Sequence, residues 1–196
     1  MNFRIILLGL ALTIAAGTSA IAQKKNSKTK TATTQQTADV IQWISVEEME
    51  QKMKKEPRKV IFDFYTDWCG WCKVMDKKTF ANKELARYVN KHYYAVKFNA
   101  ESKKPVTFRG KTYEFKPEYK ANMFAAEFMN GQMSYPTVVI AGENISFLNP
   151  LPGYQRLDMM ESVLKYFVTV KAPSQESWNE HNKAFKAAWA PEPEAQ

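Results

Sequence analysis

The sequence predicts a three-layer α/β domain in which helices flank a central mixed sheet, and three observations support this fold class. Apolar runs rich in β-forming residues alternate along the chain with amphipathic runs of helical spacing. The last two strand-like runs are adjacent and indicate a β-hairpin. Roughly 155 residues follow a polar N-terminal segment, which is enough for one domain with a hydrophobic core.

The first half of this domain is expected to contain three helices and two strands. Ser45 and Glu48 form a capping box before an amphipathic stretch that Pro57 ends. The continuous apolar run at 59–66 is typical of a central strand that is covered on both faces. In order, we expect a helix to Lys55, a strand at 59–66, helices at 73–80 and after Asn82, and a strand at 93–99.

The second half is expected to add a small hairpin, the remaining strands and a terminal helix. Apolar and polar residues alternate around Arg109-Gly110, which predicts a hairpin at 106–115. Gly131 suits the end of a helix, and Pro173 opens the last one. In order, we expect the hairpin, a helix at 117–130, strands at 136–141 and 145–148, a helix at 157–170, and a final helix to about Trp189.

The first 22 residues are predicted to be a signal peptide. Arg4 precedes an apolar run at 5–16 that is short for a transmembrane span, and Ala20 and Ala22 fit the small-residue rule for cleavage before Gln23. An uncleaved membrane anchor is the alternative. With cleavage, the mature chain is expected to be periplasmic or otherwise exported, with no stable membrane insertion.

Residues 23–38 are polar and basic, which predicts a flexible leader. The chain carries a net charge of +8, and five of those charges are Arg4 and the four lysines of the leader, so +3 remains from Asp39 onward. A nearly neutral folded part without a basic motif argues against a nucleic-acid partner. The leader is expected to be a spacer or to attract an anionic membrane surface weakly. We place the domain at 39–172 and a C-terminal helical extension at 173–196.

The chemistry-bearing motif is the only cysteine pair, Cys69 and Cys72, which directly follows the apolar strand run. This spacing and position favour a redox function. A zinc site with His92 and His181 is an alternative, but the histidines fit no finger pattern. Lys73 stands where a c-type haem motif requires histidine. A Cys–His hydrolase has no recognisable histidine motif. We therefore expect no cofactor and no metal.

Around these cysteines the sequence resembles the thioredoxin superfamily over roughly residues 43–170. The segment 62–73, Phe-Asp-Phe-Tyr-Thr-Asp-Trp-Cys-Gly-Trp-Cys-Lys, is similar to the active-site segment of that family. Tyr135-Pro136-Thr137 resembles its cis-proline loop, and Gly153 stands where the family often has glycine. The resemblance implies a thioredoxin-like fold with an inserted hairpin and an extra C-terminal helix.

The resemblance also implies roles for individual residues. Cys69 would be the nucleophile at a helix N-terminus, which favours its thiolate, and Cys72 would be the resolving cysteine. Asp63, an acid inside an apolar run, would be the proton acceptor for Cys72, because burial raises the pKa of a carboxyl. The expected substrate-binding residues are Tyr135, Pro136, Trp68, Trp71 and Gly70.

Two features depart from a minimal thioredoxin. The dipeptide between the cysteines is Gly70-Trp71 rather than Gly-Pro, so the direction of electron flow is open. The segment 100–134 is longer than in a minimal thioredoxin and could influence the choice of partner.

The function expected from these features is an exported protein-disulfide oxidoreductase that reduces disulfides of partner proteins through Cys69 and Cys72. Its partners would be disulfide-containing or dithiol proteins, with a membrane electron donor that returns electrons to it. The alternative is a thioredoxin-fold module that binds or chaperones partners without redox turnover.

Overall fold

The structure is a computed structural model that describes residues 38–191. The predicted signal peptide at 1–22 and the predicted leader at 23–38 lie outside this range, except for Ala38. Between residues 38 and 191 no helix is both long enough and apolar enough to cross a membrane.

The predicted alternation of strands and helices is confirmed. The strands are β1 (Trp43–Ile44), β2 (Lys59–Tyr65), β3 (Tyr93–Asn99), β4 (Val106–Phe108), β5 (Lys111–Tyr113), β6 (Phe115–Lys116), β7 (Ala121–Asn122), β8 (Thr137–Ala141) and β9 (Leu148–Pro152). The helices are α1 (Val46–Lys55), α2 (Gly70–Met75), α3 (Lys83–His92), α4 (Met123–Phe128), α5 (Leu157–Thr169) and α6 (Gln175–Ala184). A π-helical turn, Asp76–Phe80, continues α2.

A five-stranded mixed sheet forms the middle layer, in the order β1-β3-β2-β8-β9. The strands β1, β3 and β2 are parallel, whereas β8 runs antiparallel to β2 and pairs with β9 as the predicted hairpin. β2 is central, as its continuous apolar sequence predicts. The register sets Asp63 directly opposite Lys97 on β3.

Side chains of the sheet alternate between two hydrophobic layers. Ile61 of β2 packs with α3 and α5 on one face, and Phe62 packs with α1 and α4 on the other. Asp63 follows the same alternation, so it belongs to the face that also buries Met75 of α2 and Phe80 of the π-helical turn. The carboxylate is thereby placed beneath the helix that carries the cysteines.

The predicted helix starts at α1 and α3 are confirmed by side-chain caps. The hydroxyl of Ser45 accepts the N–H of Glu48 at 3.0 Å, and the amide oxygen of Asn82 accepts the N–H of Leu85 at 3.0 Å. Each cap satisfies one of the donors that a helix N-terminus leaves without an intrahelical partner.

The prediction of a helix at 117–130 is wrong for the first half of that range. Residues 116–121 form a turn that pairs β6 with β7, with Lys120 at a positive φ of 50°. The helix α4 starts only after Asn122, whose side chain accepts the N–H of Phe124. Local strand pairing thus replaces the first turns of the expected helix. Gly131 closes the helix end as predicted, because its N–H binds the carbonyl of Ala126 at 2.8 Å.

The fourth strand of the sheet lies later than the sequence indicated. We expected it at 145–148, but Glu143–Ile145 is a 3₁₀ turn and β9 begins at Leu148. The strand contains Pro150 and Pro152, which argue against a strand in sequence patterns. They are tolerated here because β9 is an edge of the sheet.

The C-terminal helix is shorter than expected. α6 ends at Ala184 rather than near Trp189, and residues 185–191 continue without regular structure. This tail is held by tertiary bonds, because the buried carboxylate of Glu161 accepts the N–H groups of Ala188 and Trp189. These bonds replace the helical bonds that the tail would otherwise make.

Candidate active site

The two cysteines lie where β2 gives way to α2. Cys69 is the N-cap of α2, and its sulfur accepts the N–H of Cys72 at 3.1 Å. The two sulfurs are joined in a disulfide with an S–S distance of 2.06 Å. Each cysteine is 3% exposed, so the pair lies just below the surface. The start of a helix provides free N–H groups and a positive dipole end for a thiolate at Cys69.

Asp63 lies inside the molecule with one cation beside it. Its side chain is 1% exposed, and Lys97 Nζ is 2.8 Å from Asp63 Oδ2. Oδ1 accepts no hydrogen bond from any residue between 38 and 191. Burial raises the pKa of Asp63 to about 6, against the lowering effect of Lys97. A carboxylate with this pKa is suited to accept and release a proton near neutral pH.

Lys97 is held among aromatic rings and a second acid. Its ammonium lies 5.2 Å from the ring centre of Tyr65, 5.5 Å from that of Trp43 and 5.9 Å from that of Phe80. It also forms a short ion pair with Asp76, the first residue of the π-helical turn. Burial acts to lower the pKa of Lys97, but the two carboxylates more than offset burial and the pKa is raised.

The loop before β8 approaches the same end of the sheet. The Tyr135–Pro136 peptide bond is cis, and the N–H of Gly153 at the end of β9 donates to the carbonyl of Pro136 at 2.8 Å. Gly153 has a φ of +86°, a region that favours glycine. Tyr135 is half-buried, and burial, followed by the charge of Glu101, raises its pKa to about 12. Its phenol is therefore neutral.

Trp68 and Trp71 stand beside the cysteines with their rings largely in solvent. Trp68 is 66% exposed, donates its indole N–H to Glu101 at 3.0 Å and meets the ring of Tyr135 edge-on at 5.9 Å. Trp71 is 62% exposed and lies over Tyr154 at 5.7 Å with a tilt of 34°. Trp68 thus contacts Glu101 and Tyr135, whereas Trp71 contacts Tyr154, so the two tryptophans have different partners.

Gly70 is exposed between these tryptophans. A Cβ placed on Gly70 would meet no atom within 4 Å. Packing within the chain therefore does not require glycine at this position, and the space above it is open beside Cys69.

The residues that the sequence singled out are thus gathered at one end of the sheet, although the loop before β8 lies far along the chain from β2 and α2. The histidines of the zinc alternative lie in aromatic contacts instead. His92 lies against the ring of Tyr88 at 4.5 Å with a tilt of 40°, and His181 stacks on Trp178. The residues at 38–191 contain no group of three or more side chains that could hold a metal ion.

Sequence reasoning missed four residues of this site: Lys97, Asp76, Glu101 and Tyr154. Only Lys97 had a signal of its own, as a lone cation within the apolar strand run at 93–99. The others are polar or aromatic residues in turns and loops, where such residues are common.

A family model described as a thioredoxin-like domain matches residues 46–168 of the chain. The chain belongs to the thioredoxin-like family. No curated protein sequence matches it. The match covers both cysteines, Asp63 and the cis-proline loop, whose arrangement was described above.

Solved structures resemble this thioredoxin-like protein at low sequence identity. A thioredoxin-fold protein from Helicobacter pylori is 21% identical with a TM-score of 0.50, over 74% of this chain and 89% of that one. The oxidoreductase DsbH is 17% identical with a TM-score of 0.42, over 70% of this chain and 84% of that one. The reduced C-terminal domain of DsbD from Neisseria meningitidis is 22% identical with a TM-score of 0.42, over 62% of this chain and 90% of that one. The Helicobacter structure supports the fold.

Proposed function

We propose that this thioredoxin-like protein is an exported thiol–disulfide oxidoreductase that reduces disulfides of partner proteins. The observation that carries the proposal is the disulfide-forming pair at the start of α2, with Cys69 as the cap and Cys72 one turn inward. Thiol–disulfide exchange requires two sulfurs that can alternate between a dithiol and a disulfide, and a nucleophile whose thiolate is stabilised.

The first step is attack by Cys69 on a partner disulfide. The reduced protein presents the Cys69 thiolate at the positive end of α2. A bond forms between Cys69 Sγ and one partner sulfur, the partner S–S bond breaks, and the second partner sulfur leaves as a thiolate that takes a proton from solvent.

The second step releases the partner. Asp63 accepts the proton of Cys72, and the Cys72 thiolate attacks Cys69 Sγ. The Cys69–Cys72 disulfide forms, the mixed disulfide breaks, and the partner sulfur leaves as a thiolate that takes a proton from solvent, while Asp63 later releases its proton to solvent. Two electrons have moved from the protein to the partner. The burial of Asp63 supports this role, because a carboxylate with a raised pKa is a stronger base than an exposed one.

The partner is proposed to be an extended protein segment rather than a small disulfide. The two tryptophan–tyrosine pairs offer apolar surface beside the cysteines, and exposed aromatic rings are frequent anchors in protein recognition. The backbone before Pro136 offers an edge for strand-like pairing.

Export and electron supply rest on the sequence. The predicted signal peptide at 1–22 supports export to an oxidising compartment. A reductant working there needs electrons from another source, and we propose a membrane-bound reductase that transfers them to the Cys69–Cys72 disulfide.

The test measures the rate at which the mature protein reduces the disulfides of insulin, with dithiothreitol as the reductant that regenerates the protein. Cys69→Ser is expected to lower the rate to that of dithiothreitol alone, because the nucleophile is lost. Cys72→Ser is expected to accumulate a mixed disulfide with insulin that is visible on a non-reducing gel. Glu48→Gln, an exposed change on α1, serves as a control and should leave the rate unchanged. Full activity in Cys69→Ser would contradict the proposal.

The direction of electron flow is tested by the reduction potential of the pair in glutathione or dithiothreitol buffers. A value near about −270 mV marks a reductant, whereas a value near about −120 mV marks an oxidant. We expect a reduction potential near the reductant value of about −270 mV. If no reversible dithiol–disulfide couple were found in this range, the alternative of a binding module without turnover would be favoured.

A further inference from the structure

The ammonium of Lys97 is shared by two carboxylates that differ in their access to water. Lys97 Nζ is 2.8 Å from Asp63 Oδ2 and is also paired with Asp76 Oδ1. The side chain of Asp63 is 1% exposed, that of Lys97 is 23% exposed and that of Asp76 is 43% exposed. The three groups therefore form a line from the interior beneath α2 to the surface of the π-helical turn.

The place of Lys97 in this line is set by packing rather than by the ion pairs alone. Its backbone lies opposite Asp63 in the β2–β3 register. Its ammonium is surrounded by the rings of Trp43, Tyr65 and Phe80 at 5.2–5.9 Å. The rings confine the ammonium to a small region. When it moves closer to one carboxylate, its ion pair with the other carboxylate weakens.

We propose that Asp76 is a positioning residue for the proposed proton acceptor. By drawing the Lys97 ammonium toward the surface, Asp76 weakens the ion pair that would otherwise hold Asp63 in its charged form. Asp63 thereby keeps enough affinity for a proton to take one from Cys72. This catalytic consequence rests on the proposed function, whereas the electrostatic coupling of the three side chains does not.

The groups around Asp63 are consistent with this assignment. From β3 it faces Lys97, and Asp76 of the π-helical turn acts on it electrostatically; the cysteines do not titrate while they form a disulfide. The paired residue on β8 is the apolar Val138, and Tyr65 lies two positions along its own strand. Burial and Asp76 act to raise the pKa of Asp63, and Lys97 acts to lower it.

The direct test is a titration of the Asp63 carboxyl by ¹³C NMR in the oxidised mature protein. Asp76→Asn is expected to move the midpoint to lower pH by at least about 0.5 unit, because Lys97 then forms an ion pair with Asp63 only and stabilises its charged form. Lys97→Gln is expected to move it to higher pH. A merely structural disturbance would not move the midpoint in opposite directions in the two variants.

A double variant tests whether Asp76 acts through Lys97. In the Lys97→Gln background, Asp76→Asn is expected to shift the midpoint by less than half of its shift in the native background. Asp76→Glu keeps the negative charge and should keep the native midpoint. Glu48→Gln removes an equally exposed, ion-paired carboxylate on α1, at the other face of the sheet, and should leave it unchanged.

The catalytic consequence is read from the pH profile of insulin reduction. The acid limb of the profile should move to lower pH in Asp76→Asn and should be native in Asp76→Glu. An unchanged or raised Asp63 midpoint in Asp76→Asn would overturn the inference, whatever the activity. Shifted midpoints without reductase activity in the native protein would instead overturn the proposed function.

Discussion

Asp63 shows at the scale of one residue how stability and chemistry oppose each other in this protein. A carboxylate that is 1% exposed costs free energy to ionise, and its single cation is shared with Asp76. An amide or apolar side chain would fit the strand at lower cost. Packing alone therefore does not account for an acid at this position.

We predict that Asp63→Asn stabilises the oxidised protein at neutral pH while it slows reductase activity. The folded-state pKa of about 6 lies above the ordinary value of 3.8, so the native state binds the proton more tightly than the unfolded state. The stability of the native protein should therefore fall relative to the variant as pH rises from about 4 to 6. The difference should level off above pH 6, at no more than about 3 kcal/mol. Urea unfolding at several pH values measures it.

Two observations would contradict this prediction. One is a difference between native protein and Asp63→Asn that does not change with pH. The other is a difference that shrinks as pH rises. Glu48→Gln is a suitable control, because it removes an exposed acid that is paired with Lys52 on α1.

The exposed ring of Trp71, which contacts Tyr154, leads to a prediction about which substrates the protein prefers. Trp71→Ala removes an exposed ring beside the cysteines, and an aromatic contact between that ring and a bound substrate would contribute about 0.5–1.5 kcal/mol. We expect kcat/KM for insulin to fall roughly 2- to 12-fold. The rate with oxidised glutathione, which is too small to span both tryptophan–tyrosine pairs, should change little.

The matched control for this prediction is Tyr119→Ser. Tyr119 is 63% exposed, much like Trp71, but lies in the turn between β6 and β7. Equal losses for Trp71→Ala and Tyr119→Ser would indicate general surface effects and would argue against a binding role for Trp71.

At the scale of elements, one buried side chain links the segment between β3 and β8 to the loop beside the site. Asn122 is fully buried, caps α4 and donates its amide to the carbonyls of Ser102 and Lys104 at 3.2 and 3.3 Å. These carbonyls belong to the loop that carries Glu101, the partner of the Trp68 indole. The insertion therefore supports one of the tryptophans beside Cys69.

We predict that Asn122→Ala lowers the free energy of unfolding by about 2–4 kcal/mol, because it removes a helix cap and leaves two carbonyls without a donor. Asn122→Asp keeps the capping oxygen but places a buried carboxylate oxygen against the two carbonyls, so its loss should be at least as large. Urea unfolding at pH 7 compares the three proteins. An alanine variant as stable as the native protein would show that the segment is held by other contacts.

At the scale of the whole molecule, the C-terminal tail closes the face formed by α3 and α5. Glu161 on α5 is fully buried and binds the N–H groups of Ala188 and Trp189 as well as Lys165. Asn82, the cap of α3, donates to the carbonyl of Ala190 at 2.7 Å. The tail thus satisfies a buried charge that belongs to the core.

We predict that truncation after Phe185 destabilises the protein by about 2–4 kcal/mol, because Glu161 then loses its backbone donors. The same truncation should cost less in Glu161→Gln, where the buried group is neutral. Thermal or urea unfolding measures both. Truncation after Pro191 keeps these contacts and should have no effect; equal losses for the two truncations would contradict the role given to Glu161.

Much of the fold follows from local patterns. The apolar run of β2, the caps Ser45 and Asn82, and the strand β3 lie where the sequence predicts them, because their signals come from residues next to each other in the chain. The errors fall where distant contacts override local preference. Strand pairing replaces the first turns of the helix expected at 117–130. Hydrogen bonds to Glu161 replace helical bonds in the tail at 185–191.

The sequence by itself determined the reactive pair, its position after a buried strand and the acid within that strand. Only the tertiary structure decided which groups surround them. Lys97 reaches Asp63 through the register of two strands, Asp76 reaches Lys97 through the π-helical turn, and Tyr154, which follows β9, contacts Trp71. The physical reason is that cysteine spacing and apolar runs are properties of neighbouring residues. The proton affinity of a buried carboxylate depends instead on charges brought to it from distant parts of the chain.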